Sequence, residues 1–110
     1  INIYQVDKIT KSIRKITAVN LEACQLIGEG IEQLKDLRNV NRIYEICERI
    51  NKLENKSDRI FDKAVQEIFE NETDAKNIIK YKEVLSSLES ATDKCKSVAN
   101  VLEAVAVKHS

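Results

Sequence analysis

The sequence has 110 residues, with 18 Lys and Arg against 18 Asp and Glu, so that its formal net charge is zero. Apolar residues make up 43% of the chain, which suits one soluble domain. The balanced charge argues against nucleic acid or a polybasic membrane anchor, and no apolar run approaches the roughly 20 residues of a membrane span. We therefore expect no nucleic-acid partner and no direct membrane insertion.

Long helices are favoured by the absence of proline and by the presence of only two glycines, Gly28 and Gly30. The first helix is predicted from near residue 2 to about residue 38, because apolar and small residues recur every three or four positions. Its stripe contains Val6, Ile9, Ile13, Ile16, Asn20, Cys24, Ile27, Ile31 and Leu34. The glycines lie inside this helix, which indicates a close neighbouring helix, a local kink, or simple tolerance.

Two further stripes of the same period predict the second and third helices. The second stripe contains Ile43, Ile46, Ile50, Leu53, Ser57, Phe61, Ala64 and Ile68. The third contains Ile78, Tyr81, Leu85, Leu88, Thr92, Cys95, Ala99, Leu102 and Ala106. Short breaks separate the helices, with Asn39 or Asn41 as candidate caps of the second helix and Thr73 or Asp74 as candidate caps of the third.

These elements predict an all-α fold, an elongated antiparallel three-helix bundle that forms one domain over residues 1–110. Helices of about 30 to 37 residues would be roughly 45 to 55 Å long. Such a thin bundle leaves apolar surface for another domain or subunit. Because the sequence lacks methionine and begins at Ile1, we also expect it to be a piece of a longer protein.

Residues that could carry catalysis are scarce. The one histidine, His109, lies next to the last residue, and no nucleophile–base pair or glycine-rich phosphate loop is present, so we expect no enzyme. The cysteines lie one per helix, near the apolar stripes and without metal-ligand spacing. We expect them to be reduced, buried thiols of a cytoplasmic protein. They are Cys24, Cys47 and Cys95.

A repeated carboxylate spacing is the strongest candidate site. Glu54 and Asp58 on the second helix, and Glu89 and Asp93 on the third, are each four residues apart and share one helical face. Two carboxylates about 5 Å apart would repel by roughly 3 kcal/mol at an effective dielectric constant near 20. A divalent cation could offset this repulsion, as could solvent or the nearby cations; oxygen ligands favour Mg, Ca or Mn. The nearby cations are Arg59, Lys63 and Lys94.

The two acidic pairs are expected to face each other across the turn near residues 71–74. Glu54 precedes this turn by about 18 residues and Glu89 follows it by about 16, which would place them at similar heights in the bundle.

The second half of the chain resembles the PhoU-like family of phosphate-transport regulators. Residues 50–60 resemble the Glu-x-x-x-Asp helix of PhoU-type proteins, and residues 82–95 and 98–105 resemble the C-terminal helix of the related family associated with low-affinity phosphate transporters. The resemblance extends from about residue 31 to residue 109. In one respect the sequence departs from the family, because acidic residues commonly follow the second Asp where Lys96 and Ser97 stand here.

The resemblance implies a role and a set of ligands. It implies the C-terminal half of a protein made of two three-helix bundles, acting as a cytoplasmic regulator of phosphate transport. It implies protein–protein contacts with a phosphate transporter or its signalling components, together with a homo-oligomer or packing on a second bundle. It adds Fe or Zn to the candidate metals, with Glu54, Asp58, Glu89 and Asp93 as ligands.

Two readings of the function remain open at this stage. Lys96, one turn after Asp93, could supply a built-in counter-ion in place of a metal. The alternative function is accordingly a structural helical-bundle adaptor that binds partner helices and no metal.

Overall fold

A computed structural model describes residues 3–109, with side chains from Asp7 to His109. Helix α1 spans Ile3–Gln33, α2 spans Val40–Asn71 and α3 spans Ala75–His109, and a short 3-10 helix, Leu37–Asn39, precedes α2. The principal extents of 55 × 18 × 15 Å confirm the predicted elongated antiparallel bundle. Among the described residues, no helix combines the length and the apolar content that crossing a bilayer requires.

The connection between α1 and α2 begins earlier than the sequence predicted. Helix α1 ends at Gln33 rather than near residue 38. Asp36 has an extended backbone (φ −144°, ψ 101°), and its carboxylate accepts a hydrogen bond from the Arg38 backbone N–H at 3.1 Å, which starts the 3-10 turn. This local cap competes with continuation of the helix. Asn39 occupies the cap position of α2 without a side-chain capping hydrogen bond, so its backbone position alone was predicted correctly.

The turn between α2 and α3 is capped as predicted. The Asp74 carboxylate accepts a hydrogen bond from the Lys76 backbone N–H at 2.9 Å, which satisfies a free donor in the first turn of α3. Glu72 supports the turn, because its Oε1 accepts hydrogen bonds of 3.0 Å from the backbone N–H groups of Thr73 and Asp74.

The predicted stripes of α2 and α3 lie in the core, whereas that of α1 is partly rotated. Cys24 and Ile31 are exposed, and the buried face of α1 passes instead through Val19, Ala23 and Gly30. Small residues such as Ala23 and Gly30 contribute little to an apolar pattern in the sequence. They nevertheless allow the neighbouring helices to approach closely. Val6, the first member of the predicted stripe, lies outside the described side chains.

A largely buried polar layer separates two apolar clusters along the bundle. One cluster surrounds Ile46, Ile50 and Leu102, and the other surrounds Ile16 and Leu85. Between them lie Asn20, Ser57 and Thr92, one residue from each helix. The Thr92 hydroxyl donates to Asn20 Oδ1, the Ser57 and Thr92 hydroxyl oxygens are 3.3 Å apart, and Asn20 Nδ2 donates to the Leu88 carbonyl at 3.1 Å.

The two glycines of α1 differ in their surroundings. A Cβ atom on Gly30 would lie 2.9 Å from Leu102 Cδ1 and 3.7 Å from Ile46 Cγ2, so the close-approach explanation holds at this position. A Cβ atom on Gly28 would meet nothing within 4 Å.

Alanine substitutions provide a matched test of this packing. We expect Gly28→Ala to raise the free energy of unfolding by about 0.5–1 kcal/mol, because it removes glycine's backbone entropy without a clash. Gly30→Ala should be less stable than Gly28→Ala by about 1–3 kcal/mol, because the buried Leu102 must shift. Urea denaturation of both variants measures the difference, and equal stabilities would contradict the close approach.

Candidate metal centre

The contact between Ser57 and Thr92 sets the relative height of the acidic residues. Asp58 and Asp93 each follow one of these hydroxyl residues in sequence, so both lie beside the polar layer on the edge where α2 meets α3. Because the helices are antiparallel, Glu54 and Glu89 lie on opposite sides of the layer, about 9 Å apart along the axis. The expectation that they share a height is therefore wrong.

Three of the four predicted carboxylates come together. One ligand oxygen from each of Glu54, Asp58 and Asp93 can be chosen so that all lie within 4.8 Å of one another. Glu54 is buried, Asp58 is half-buried and Asp93 is exposed. A cation at this site would thus be bound at the bundle surface with one ligand anchored in the core.

The fourth predicted carboxylate, Glu89, joins the cluster from the other side of Asp58. Burial raises the pKa of Glu89 most. A hydrogen bond with Asp58 and the charges of Asp58, Asp93 and Asp62 raise it further. Asp62, one turn after Asp58 on α2, is a member that the sequence reasoning missed. Its i,i+4 spacing from Asp58 was the available signal.

One cation already contacts the cluster. Lys96 Nζ lies 3.6 Å from Glu54 Oε2, where the Glu54 side chain is only 11% exposed. From the sequence, Lys96 was predicted to be a counter-ion of Asp93. The antiparallel pairing of the helices brings the Lys96 ammonium group to Glu54 instead. Two of the other cations that were close in sequence lie elsewhere, since Lys63 lines a hollow between α1 and α2 and Arg59 lines a hollow formed by α2 residues alone.

Burial and the repulsion between neighbouring carboxylates favour the protonated forms of Glu54 and Glu89. Burial, then the hydrogen bond with Asp58 and the neighbouring carboxylates, raise the pKa of Glu89 to about 7. Burial also raises the pKa of Glu54, again with Asp58 contributing, while the charge of Lys96 acts in the opposite direction. A carboxylate with a pKa near 7 exchanges its proton at physiological pH. The donor set is all oxygen and carries excess negative charge, which fits a hard divalent cation.

The cysteines are arranged differently from the sequence expectation. Cys47 and Cys95 are buried as predicted, but Cys24 is exposed, and its Sγ lies 3.9 Å from Cys95 Sγ across α1 and α3. Burial raises the pKa of Cys47, whose thiol donates to the Ala99 carbonyl at 3.2 Å. Burial and then Cys24 raise the pKa of Cys95 to about 11. Such thiols are weak nucleophiles, because the thiolate is the reactive form.

The chain is similar in sequence to a curated bacterial protein. The chain is 32% identical over 104 residues to the UPF0111 protein YkaA of Bacillus subtilis. The aligned region covers 94% of this chain but 47% of that protein, so the chain spans about half the length of the curated relative it matches. No protein-family model and no solved structure matches the chain.

The raised pKa of Glu89 predicts how stability depends on pH. The folded protein binds more protons than the unfolded chain between the ordinary glutamate pKa of 4.5 and about 7. The contribution of Glu89 to stability is therefore complete below pH 4.5 and is lost as the pH rises through 7. Without divalent cations, we expect the melting temperature to be higher at about pH 5 than at about pH 8, and Glu89→Gln to reduce this difference.

The control for this measurement is Glu83→Gln, which removes an exposed carboxylate on the same helix outside the cluster. Thermal unfolding followed by circular dichroism at both pH values should give this variant the pH dependence of the wild type. An unchanged pH dependence in Glu89→Gln would show that Glu89 titrates alike in the folded and unfolded states.

Proposed function

We propose that this protein is a cytoplasmic, non-enzymatic regulator of phosphate transport that acts through protein–protein contacts and holds a divalent cation in its carboxylate cluster. The observation that carries the metal site is the convergence of Glu54, Asp58 and Asp93, from two helices, within 4.8 Å. Carboxylates gathered so closely repel one another unless protons or cations neutralise them.

The regulatory part of the proposal is supported by two sequence relationships. Residues 50–60 resemble the Glu-x-x-x-Asp helix of PhoU-type proteins, and residues 82–95 and 98–105 resemble the C-terminal helix of the related family. The similarity to the UPF0111 protein YkaA extends over 94% of the chain. As a partner we propose a phosphate transporter or one of its signalling components. The role includes no catalytic step, since the sequence offers a single histidine, His109, and no nucleophile–base pair.

Each carboxylate would have a distinct part in holding the cation. Glu54 is fixed by the core and would supply the most rigid oxygen, whereas the exposed Asp93 can adjust to the size of the ion. Glu89 would join after losing its proton, which couples occupancy of the site to pH. Oxygen ligands suit Mg, Ca or Mn, and the family resemblance adds Fe or Zn.

Exposed apolar side chains support an association surface on α1 and α3. Leu21, Val98 and Val101 are 60%, 40% and 61% exposed. The contact between Cys24 and Cys95 shows that α1 and α3 run side by side at this level. Large exposed apolar patches commonly mark interfaces. We propose that this surface packs against a second copy or a second bundle.

Sedimentation can test this surface. We expect the 110-residue chain to self-associate at micromolar concentration and the double variant Leu21→Lys/Val101→Lys to be monomeric, because buried lysines would lose their hydration. The control Phe69→Lys/Ile79→Lys adds the same charges at exposed apolar positions near the other end of the bundle and should associate like the wild type. A compact monomer of the wild-type chain would contradict the expectation.

The structural adaptor without metal is a second candidate, and the Lys96–Glu54 ion pair favours it. At 3.6 Å, this ammonium group supplies part of the positive charge that a cation would otherwise bring. In this case the cluster would be neutralised by Lys96 and by the proton on Glu89, and the protein would act through its helix surfaces alone.

Metal titration separates the two candidates. A ligand that binds only the folded state stabilises it, by about 2.7 kcal/mol at a free concentration of 100 times its dissociation constant. We expect Mn²⁺, Mg²⁺ or Ca²⁺ to raise the melting temperature of the wild type at about pH 8. The double variant Asp58→Asn/Asp93→Asn should lose this increase, since it removes the charge of two ligands.

The matched control for the titration is Glu83→Gln/Glu103→Gln, which changes the net charge equally at exposed positions of α3 outside the cluster. It should respond to the metals like the wild type. If the cluster variant also responds like the wild type, any bound metal lies elsewhere; no response in any of the three would favour the adaptor.

A further inference from the structure

The groove between α1 and α2 is strongly basic although the chain has no net charge. A hollow of about 230 Å³ adjoins a second one of about 430 Å³, and both are lined by Lys15 and Ile60. The lysines of the two hollows are Lys8, Lys11, Lys15, Lys56 and Lys63. Two carboxylates also line the hollows, Glu22 and Glu67. Glu22 forms an ion pair of 2.7 Å with Arg49.

Four of the five groove lysines have no carboxylate within ion-pair distance among the described residues. The groove lysines that form no ion pair within residues 7–109 are Lys11, Lys15, Lys56 and Lys63. Lys11 and Lys15 are four residues apart on α1, a spacing at which like charges destabilise a helix. Lys63 lines the same hollow from α2. An anion bound in the groove would offset the repulsion between Lys11 and Lys15 on α1, and between these lysines and Lys63 on α2.

The length of the basic groove favours an anion with several charged groups. From Lys56 to Lys63, helix α2 rises about 10 Å, which exceeds the reach of one phosphate ion. Lysine ammonium groups are flexible point charges with three donors, which suits phosphate oxygens at variable positions. A chain or cluster of phosphates could contact lysines of both helices at once.

The remaining lining residues argue against nucleic acid and against a membrane. They are small, polar or aliphatic, namely Ser12, Ala18, Val19, Leu53 and Ile60. No described aromatic side chain lines the groove, so bases would find no stacking platform. Among the described side chains, none of the large exposed apolar residues lines the groove either, so none of them would enter a lipid layer from it.

We propose that the groove between α1 and α2 binds a multiply phosphorylated anion without bases, either a linear polyphosphate or a densely phosphorylated small molecule. Lys11 and Lys15 hold it from α1, and Lys56 and Lys63 hold it from α2. The groove lies on the edge of α2 opposite the carboxylate cluster, so this binding requires no metal at Glu54 or Asp58.

Isothermal titration calorimetry without divalent cations tests the proposal, with tripolyphosphate as the linear probe and inositol hexakisphosphate as the clustered one. We expect binding of at least one of them, much tighter than that of inorganic phosphate and weakened by salt. Tighter binding of tripolyphosphate would indicate a linear polyphosphate, and tighter binding of inositol hexakisphosphate would indicate a densely phosphorylated small molecule. Lys11→Gln/Lys63→Gln should weaken it about tenfold, as expected for the loss of two exposed charge contacts.

Two matched variants keep this test specific. Lys76→Gln/Lys94→Gln removes two exposed lysines of α3 and should change the affinity less than about twofold, and Lys11→Arg/Lys63→Arg should retain binding because it retains both charges. Equal losses in the groove variant and the α3 control would overturn the proposal, as would the absence of binding to both probes. Tighter binding of single-stranded RNA or of phosphatidylserine vesicles would also overturn it.

Discussion

The contact of half-buried Asn20 with buried Thr92, and of Thr92 with buried Ser57, fixes how the three helices are aligned. A buried polar group without a partner costs about 1–3 kcal/mol, so sliding one helix past another would be penalised at this layer even where the apolar clusters could repack. Because Asp58 and Asp93 directly follow Ser57 and Thr92, the same contact determines which carboxylates meet. The composition of the candidate metal centre thus depends on a polar layer that contributes no metal ligand.

Helix α2 divides opposite charges between its two edges. The edge toward α3 carries Glu54, Asp58 and Asp62, whereas the edge toward α1 carries Lys56 and Lys63. A helix is about 10 Å across with its side chains, and exposed charges are screened over about 8 Å at physiological ionic strength. The two edges therefore neutralise each other only weakly, and each can attract its own counter-ions.

The acidic edge has three ways to reduce its repulsion. A proton on Glu89 removes one charge, Lys96 compensates part of the charge of Glu54, and a divalent cation among Glu54, Asp58 and Asp93 would compensate two charges. The proton and the cation exclude each other at Glu89, since metal ligands must be deprotonated. Metal occupancy and protonation of this edge are therefore expected to be linked.

The sequence by itself determined the helices of this protein, because the period of apolar residues depends only on local geometry. The stripes of α2 and α3 could be predicted from this period, the Asp74 cap from its residue type, and the candidate carboxylates from their spacing of four residues. The rotation of α1 could not, because small residues such as Ala23 reveal their burial only when neighbours pack on them. The tertiary structure alone decided that Lys96 meets Glu54 and that lysines from two helices share one groove, since the antiparallel register sets both pairings.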